Sequence, residues 1–198
     1  MITKEFTNLN SQPTKGVLNT RLLGTLGILA SPMLLLEDLL TGFQPHETDQ
    51  LIGLLGVIYT TGWICSIIGL YSSKATGKSR LGKAILVIQL IGLFLAAAWA
   101  AYHMVVLNPN TDHWLYQATD IAWPLSHLFM IVVGIATLRA KTWTSWRRFT
   151  PLLGGLALPV AIMVSIVAGE EAMGIIFSVW TTVAFALLGY AVRPSNDS

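Results

Sequence analysis

Charge is scarce in this sequence, and cysteine is almost absent. Of the 198 residues, only 11% are Asp, Glu, Lys or Arg and 54% are hydrophobic, whereas roughly one quarter of the residues in a soluble domain are charged. Cys65 is the only cysteine, so neither an intrachain disulfide nor a cysteine-based metal site can form. The composition therefore excludes an ordinary soluble domain, and the net charge of +2 gives no support for nucleic-acid binding.

Several cofactor and catalytic motifs are also missing. No glycine-rich phosphate loop appears, and the histidines form neither an H-x-x-x-H nor an H-E-x-x-H zinc pattern. No lysine lies in the middle of an apolar run, where retinal attachment would require one. His103 and His127 would differ in depth by about 10 Å, which argues against bis-histidine haem ligation. The sequence thus assigns no cofactor, no metal and no catalytic residue.

Long apolar runs, by contrast, recur along almost the whole chain, each near the roughly 20 residues that cross a bilayer. They predict an all-α, polytopic membrane protein, a bundle of six transmembrane helices over 22–41, 51–71, 84–107, 115–138, 152–168 and 172–192. We expect a tail over 1–20, a transmembrane domain over 21–193 and a second tail over 194–198, with no cleaved signal peptide. Only three residues separate the last two spans, so a re-entrant hairpin is an alternative there.

The basic residues predict how the bundle is oriented, because cytoplasmic connections collect Lys and Arg. In the six-span arrangement all twelve fall on one side: Lys4, Lys15, Arg21, Lys74, Lys78, Arg80, Lys83, Arg139, Lys141, Arg147, Arg148 and Arg193. The other side has acids and histidines instead: His46, Glu47, Asp49, Asp112, His113, Glu170 and Glu171. We therefore expect both termini in the cytoplasm, and a bacterial inner membrane is the expected location.

Stripes of small residues define the faces on which the helices should pack, since close approach in lipid depends on small side chains. On the third span Gly92, Ala96 and Ala100 recur every four residues, and His103 lies near the same face. His103 is therefore expected to face protein. Kinks are expected at Pro32, Pro124 and Pro159, because proline lacks the N–H of the helical hydrogen bond.

The segment DIAWPLSHLFM, over 120–130, combines an acid, a proline and a histidine inside the fourth span. Ionisable residues within a span are costly to bury, so each is a candidate functional residue. Asp120 and His127 are seven positions apart and point along one face, with Trp123 between them. His127 would form the floor of a pocket that opens outward.

Other spans add ionisable groups at a similar depth. Glu37 and Asp38 lie near the outer end of the first span, and His103 lies near that of the third. The sequence therefore predicts an outer pocket formed by Asp120, His127, His103, Glu37, Asp38 and Trp123. Because no basic residue is available there, the natural guests are a proton or a cation. The alternatives are that the acids are solvated rim residues and that the histidine and tryptophan only pack.

Three kinds of function are compatible with this pattern. The first is a pocket that binds or transports a proton, a cation or a small polar ligand. The second is a structural or accessory subunit that packs against a membrane protein partner, which the compact loops suit. The third is a membrane-embedded enzyme that acts on a lipid or isoprenoid through carboxylate and histidine acid–base chemistry. In each case the bilayer itself is a partner.

Overall fold

The computed structural model describes residues 19–43, 50–106 and 111–194. All of the elements in those ranges are helices: α1 (Thr20–Ala30), α2 (Met33–Thr41), α3 (Gln50–Ser72), α4 (Arg80–Val105), α5 (Trp114–Ala140), the 3-10 helix η1 (Ser145–Phe149), α6 (Thr150–Ala168) and α7 (Glu170–Val192). They provide, within the described ranges, six segments long and apolar enough to cross a membrane, with α1 and α2 forming one of them. The predicted all-α six-helix bundle is confirmed, and the chain is a multi-pass membrane protein.

Some predicted features lie outside the described residues. They include most of both predicted tails, the basic residues Lys4 and Lys15, the end of the third span at Leu107, and the loop residues His46, Glu47 and Asp49. Within the described ranges the helix starts follow local capping. The Asn19 side chain accepts a hydrogen bond from the backbone N–H of Leu22 at 3.2 Å, and Ser79 Oγ accepts one from Gly82 at 3.0 Å.

The three prolines predicted to kink helices have different surroundings. Pro32 lies where the first span breaks, because α1 ends at Ala30 and α2 begins at Met33. Pro124 and Pro159 lie inside α5 and α6, whose helical backbone continues through them. The break at Pro32 separates α2 as a short helix, which carries Glu37 and Asp38 at one end of the bundle.

The last two spans are separate membrane-length helices, so the re-entrant hairpin is not the structure. Gly169 ends α6 with φ 90° and ψ 177°, a conformation that favours glycine, and α7 begins at the next residue. Because the turn is so short, Glu170 and Glu171 form the first turn of α7.

The helices form a closed ring in which each span packs against its neighbours in sequence and the first span packs between α3 and α7. Small residues bring α1 and α3 together: a Cβ on Gly62 would overlap the Ala30 side chain, and one on Gly27 would overlap Ser66. The outer surface is apolar, as contact with lipid requires, with exposed Leu29, Phe94 and Ile166 among many others.

Candidate ligand-binding cavity

A cavity of about 710 Å³ lies at one end of the bundle. Its walls come from the C-terminal parts of α2, α4 and α6 and the N-terminal parts of α3, α5 and α7, which meet because the spans alternate in direction. This end is called the acidic end below. The opposite end is called the basic end. Lys4 and Lys15 lie outside the described residues, and the other ten of the twelve basic residues lie at this end. No Lys or Arg of the described chain lines the cavity.

Four carboxylate side chains line the cavity: Glu37, Asp38, Asp120 and Glu170. Glu37 and Asp38 are half-buried, whereas Asp120 and Glu170 are exposed. Glu37 and Asp38 are adjacent in α2. The structure thus brings acids from three separate helices to one cavity, although these helices are far apart in the sequence.

His103 lies in the cavity wall and is only 3% exposed, so it faces protein as expected. Its ring centroid is 4.2 Å from that of Trp99 and 5.5 Å from that of Tyr116. The carboxylate of Asp120 interacts electrostatically with the imidazole. Both ring nitrogens of His103, and Nε1 of Trp99, are buried without a hydrogen-bond partner in the described structure. Such groups are nearly always paired in proteins, so these keep hydrogen-bonding capacity that the surrounding protein does not use.

His127 lies one layer of side chains below the cavity, and not at its floor as the sequence suggested. It is fully buried, and it is not among the residues that line the cavity. Tyr59 and Phe177 do line the cavity and pack against it, with 5.3 Å between the ring centroids of His127 and Phe177. Side chains from α3 and α7, Tyr59 and Phe177, lie between His127 and the cavity.

The hydrogen bonds of His127 define its tautomer. Nδ1 lies 3.1 Å from the backbone oxygen of Trp123, and since a carbonyl oxygen only accepts, Nδ1–H is the donor. In the neutral ring Nε2 then accepts from the hydroxyl of Tyr59 at 3.3 Å. Both nitrogens of His127 are therefore satisfied by protein, unlike those of His103. Trp123, which lines the cavity, has its ring centroid 4.5 Å from that of His127.

Aromatic side chains make up much of the remaining wall: Phe43, Tyr59, Trp99, Tyr116, Trp123 and Phe177. Of these six only Trp123 was predicted to belong to the site, so Tyr59 and Phe177 are among those that were not predicted. A signal for Tyr59 was present, because it lies three and seven positions before Gly62 and Ser66, on the small-residue face of the second span. Phe177 follows Gly174 by three positions in the same way, and both residues line the cavity.

No group of three or more His, Cys, Asp or Glu side chains among the described residues has an arrangement that could hold a metal ion. The carboxylates and His103 share one cavity, but they line it without converging on one point. The cavity is therefore lined by carboxylate and aromatic side chains.

At the basic end, the side chain of Arg147 is hydrogen-bonded to backbone carbonyl groups of the protein. Arg147 of η1 donates from Nε to the carbonyl oxygen of Ala191 at 2.8 Å and from Nη2 to that of Arg193 at 2.6 Å. A further hydrogen bond joins Nη2 to Ala191. The C-terminal carbonyls of a helix have no partner within it, so Arg147 fastens the end of α7 to the connection before α6.

No family model matches this chain, and no curated protein or solved structure matches it.

Proposed function

We propose that this protein binds or transports a proton, a cation or a small polar ligand, and that the cavity at the acidic end is its binding site. The observation that carries the proposal is the convergence of Glu37, Asp38, Asp120 and Glu170 on one cavity whose described lining contains no Lys or Arg. Carboxylates gathered in this way, without a cationic side chain, favour the uptake of positive charge.

The proposal includes an orientation, with the acidic end outside and both termini in the cytoplasm. It is supported by the distribution of Lys and Arg, all of which fall on the basic side of the six-span arrangement. A bacterial inner membrane is the proposed location. In this orientation the cavity opens to the outer aqueous phase.

Cysteine labelling tests the orientation. With Cys65→Ser as the background, Thr111→Cys in the connection after α4 and Ser73→Cys after α3 place single thiols at the acidic and basic ends. A membrane-impermeant maleimide added to intact cells should label only the Thr111→Cys protein. Labelling of only the Ser73→Cys protein would reverse the orientation.

The binding function is tested with purified protein in liposomes. Thermal-shift and flux measurements would cover Na⁺, Mg²⁺, protons, and soluble amines and alcohols, comparing Asp120→Asn with Asp112→Asn. Asp112 is an exposed acid of the same end that does not line the cavity, so it controls for loss of a surface charge. We expect one probe class to lose binding or flux in Asp120→Asn only. If no probe binds or moves, or if both variants behave alike, the proposal fails.

Two other results would replace the proposal. Stoichiometric copurification of a membrane protein, together with absence of ligand binding, would favour the accessory-subunit hypothesis. Turnover of a lipid or isoprenoid that is lost in Asp120→Asn or His103→Gln would instead favour a membrane-embedded enzyme.

A further inference from the structure

We propose that the guest of the cavity is an organic primary ammonium, a protonated amine attached to an apolar or aromatic body. This inference rests on the proposed function, because it narrows the ligand class of the same site. Three independent features of the cavity point to it: the sign of its charge, the chemistry of its walls, and the unused hydrogen-bonding groups beside Asp120.

The sign of the charge excludes anionic guests. Four carboxylates line the cavity, and no Lys or Arg of the described chain joins them. The segments that connect the spans at this end, over 42–49, 106–113 and 169–171, also contain no Lys or Arg in the sequence. A phosphate or carboxylate group on the guest would therefore meet repulsion, whereas a cation meets attraction from several directions.

The walls distinguish an organic cation from a metal ion. Hard metal cations require several oxygen ligands around one point, and the described residues form no such group. A volume of about 710 Å³ lies within the range of cavities that hold organic ligands. Its aromatic rings, Trp99, Tyr116 and Trp123 among them, offer both apolar contact and the negative ring faces that attract ammonium groups.

His103 distinguishes a primary ammonium from a quaternary one. The imidazole is 3% exposed, and both its nitrogens are buried without a hydrogen-bond partner in the described chain. A neutral imidazole has one acceptor nitrogen, and Asp120, whose charge acts on this ring, supplies carboxylate acceptors. A primary ammonium has three N–H donors, so it can donate to the acceptor nitrogen of the imidazole and to a carboxylate of the same cavity, whereas a quaternary ammonium has none.

Three probes of similar size and different charge test this directly: phenethylamine, which is cationic at neutral pH, the neutral 2-phenylethanol, and the anionic phenylacetate. Binding is measured by calorimetry on the full chain in phosphatidylcholine nanodiscs. We expect phenethylamine to bind at least about tenfold more tightly than 2-phenylethanol, equivalent to about 1.4 kcal/mol, and phenylacetate not to bind. Ethylammonium, which lacks the ring, should bind more weakly than phenethylamine.

Matched variants connect the binding to the cavity. Asp120→Asn, His103→Phe and Trp99→Leu should each weaken phenethylamine binding. The loss should be about tenfold for Asp120→Asn, which removes a charge. Asp112→Asn and Trp114→Leu change exposed residues of the same types that do not line the cavity, and they should leave the affinity unchanged. Size-exclusion profiles like that of the unchanged protein establish that each variant is folded.

Failure of the ammonium inference can be distinguished from failure of the proposed function. If 2-phenylethanol binds as tightly as phenethylamine, or Mg²⁺ binds in an Asp120-dependent manner and the amine does not, the ammonium inference is overturned while the proposed function stands. If none of the probes, including the ions, responds to the cavity variants, both are overturned. The headgroup of phosphatidylethanolamine also ends in a primary ammonium, which could enter the cavity only with the lipid phosphate outside it. Competition when that lipid is added to the nanodiscs would identify a lipid source, and absence of competition a soluble amine.

Discussion

The acidic and basic ends of the bundle both hold polar side chains at the boundary of the membrane, yet Arg147 of the basic end and His103 of the acidic end differ in their hydrogen bonding. At the basic end Arg147 donates to the carbonyl oxygens of Ala191 and Arg193, and its guanidinium lies 5.2 Å from the centre of the Trp143 ring. At the acidic end His103 is buried with neither nitrogen paired in the described structure. Arg147 is thus satisfied by protein, whereas His103 is the residue on which the proposed binding of a guest depends.

The largest effect is expected at the layer that separates the cavity from His127. Phe177 is 7% exposed, and its ring packs against both Trp123 and His127. Phe177→Ala should lower the free energy of unfolding by about 3 kcal/mol through lost contacts and a void, measured by denaturant titration in detergent. The control is Phe94→Ala on the lipid-facing surface, where the ring is 59% exposed. Equal losses in the two variants would show that Phe177 is not part of a packed floor.

The next effect is expected at the basic end. Arg147→Ala removes the donors that satisfy the end of α7 and should lower the free energy of unfolding by about 2 kcal/mol, with ligand affinity unchanged. Arg139, an exposed arginine of the same end, provides the control, and Arg139→Ala should have little effect. If Arg147→Ala abolished ligand binding in folded protein, the two ends would not have separate roles.

A smaller effect on stability is expected from loss of the hydrogen bond between Tyr59 and His127. Tyr59→Phe removes only the hydroxyl that donates to Nε2 of His127, so it should cost about 1 kcal/mol of stability. Tyr71→Phe alters a 42% exposed tyrosine outside the cavity and serves as the matched control. A Tyr59→Phe protein as stable as the control would mean that the Tyr59–His127 hydrogen bond contributes nothing to the fold.

The sequence predicted the helices well because hydropathy and length determine where a chain can cross a membrane. The predicted second span, 51–71, differs from α3 (Gln50–Ser72) by one residue at each end. The third span was predicted from 84, whereas α4 begins at Arg80, because the Ser79 cap lets the helix extend past the apolar run into basic residues. A prediction from the hydropathy pattern alone assigns such polar residues to a loop.

The candidate site was only partly predictable. Five of the six predicted residues line one cavity: Glu37, Asp38, His103, Asp120 and Trp123. They could be predicted because their positions along their helices place them at a similar distance from the end of the bundle. The sixth, His127, was placed on the floor from its depth and from the helix face that it shares with Asp120. His127 is separated from the cavity by Tyr59 and Phe177, which belong to other helices. The periodicity of one helix does not show how side chains from other helices pack against it.

The stability of the His103→Phe protein tests whether His103 is present for a guest or for the fold, although the expected change is the smallest. Phenylalanine keeps the ring that packs against Trp99 and Tyr116, and it removes two buried nitrogens that have no partner in the described chain. Without ligand, the variant should unfold at the same free energy as the unchanged protein or up to about 1 kcal/mol higher, while phenethylamine binding falls. A loss of stability comparable to that of Tyr59→Phe, with binding intact, would show that His103 is a structural residue and would contradict the account.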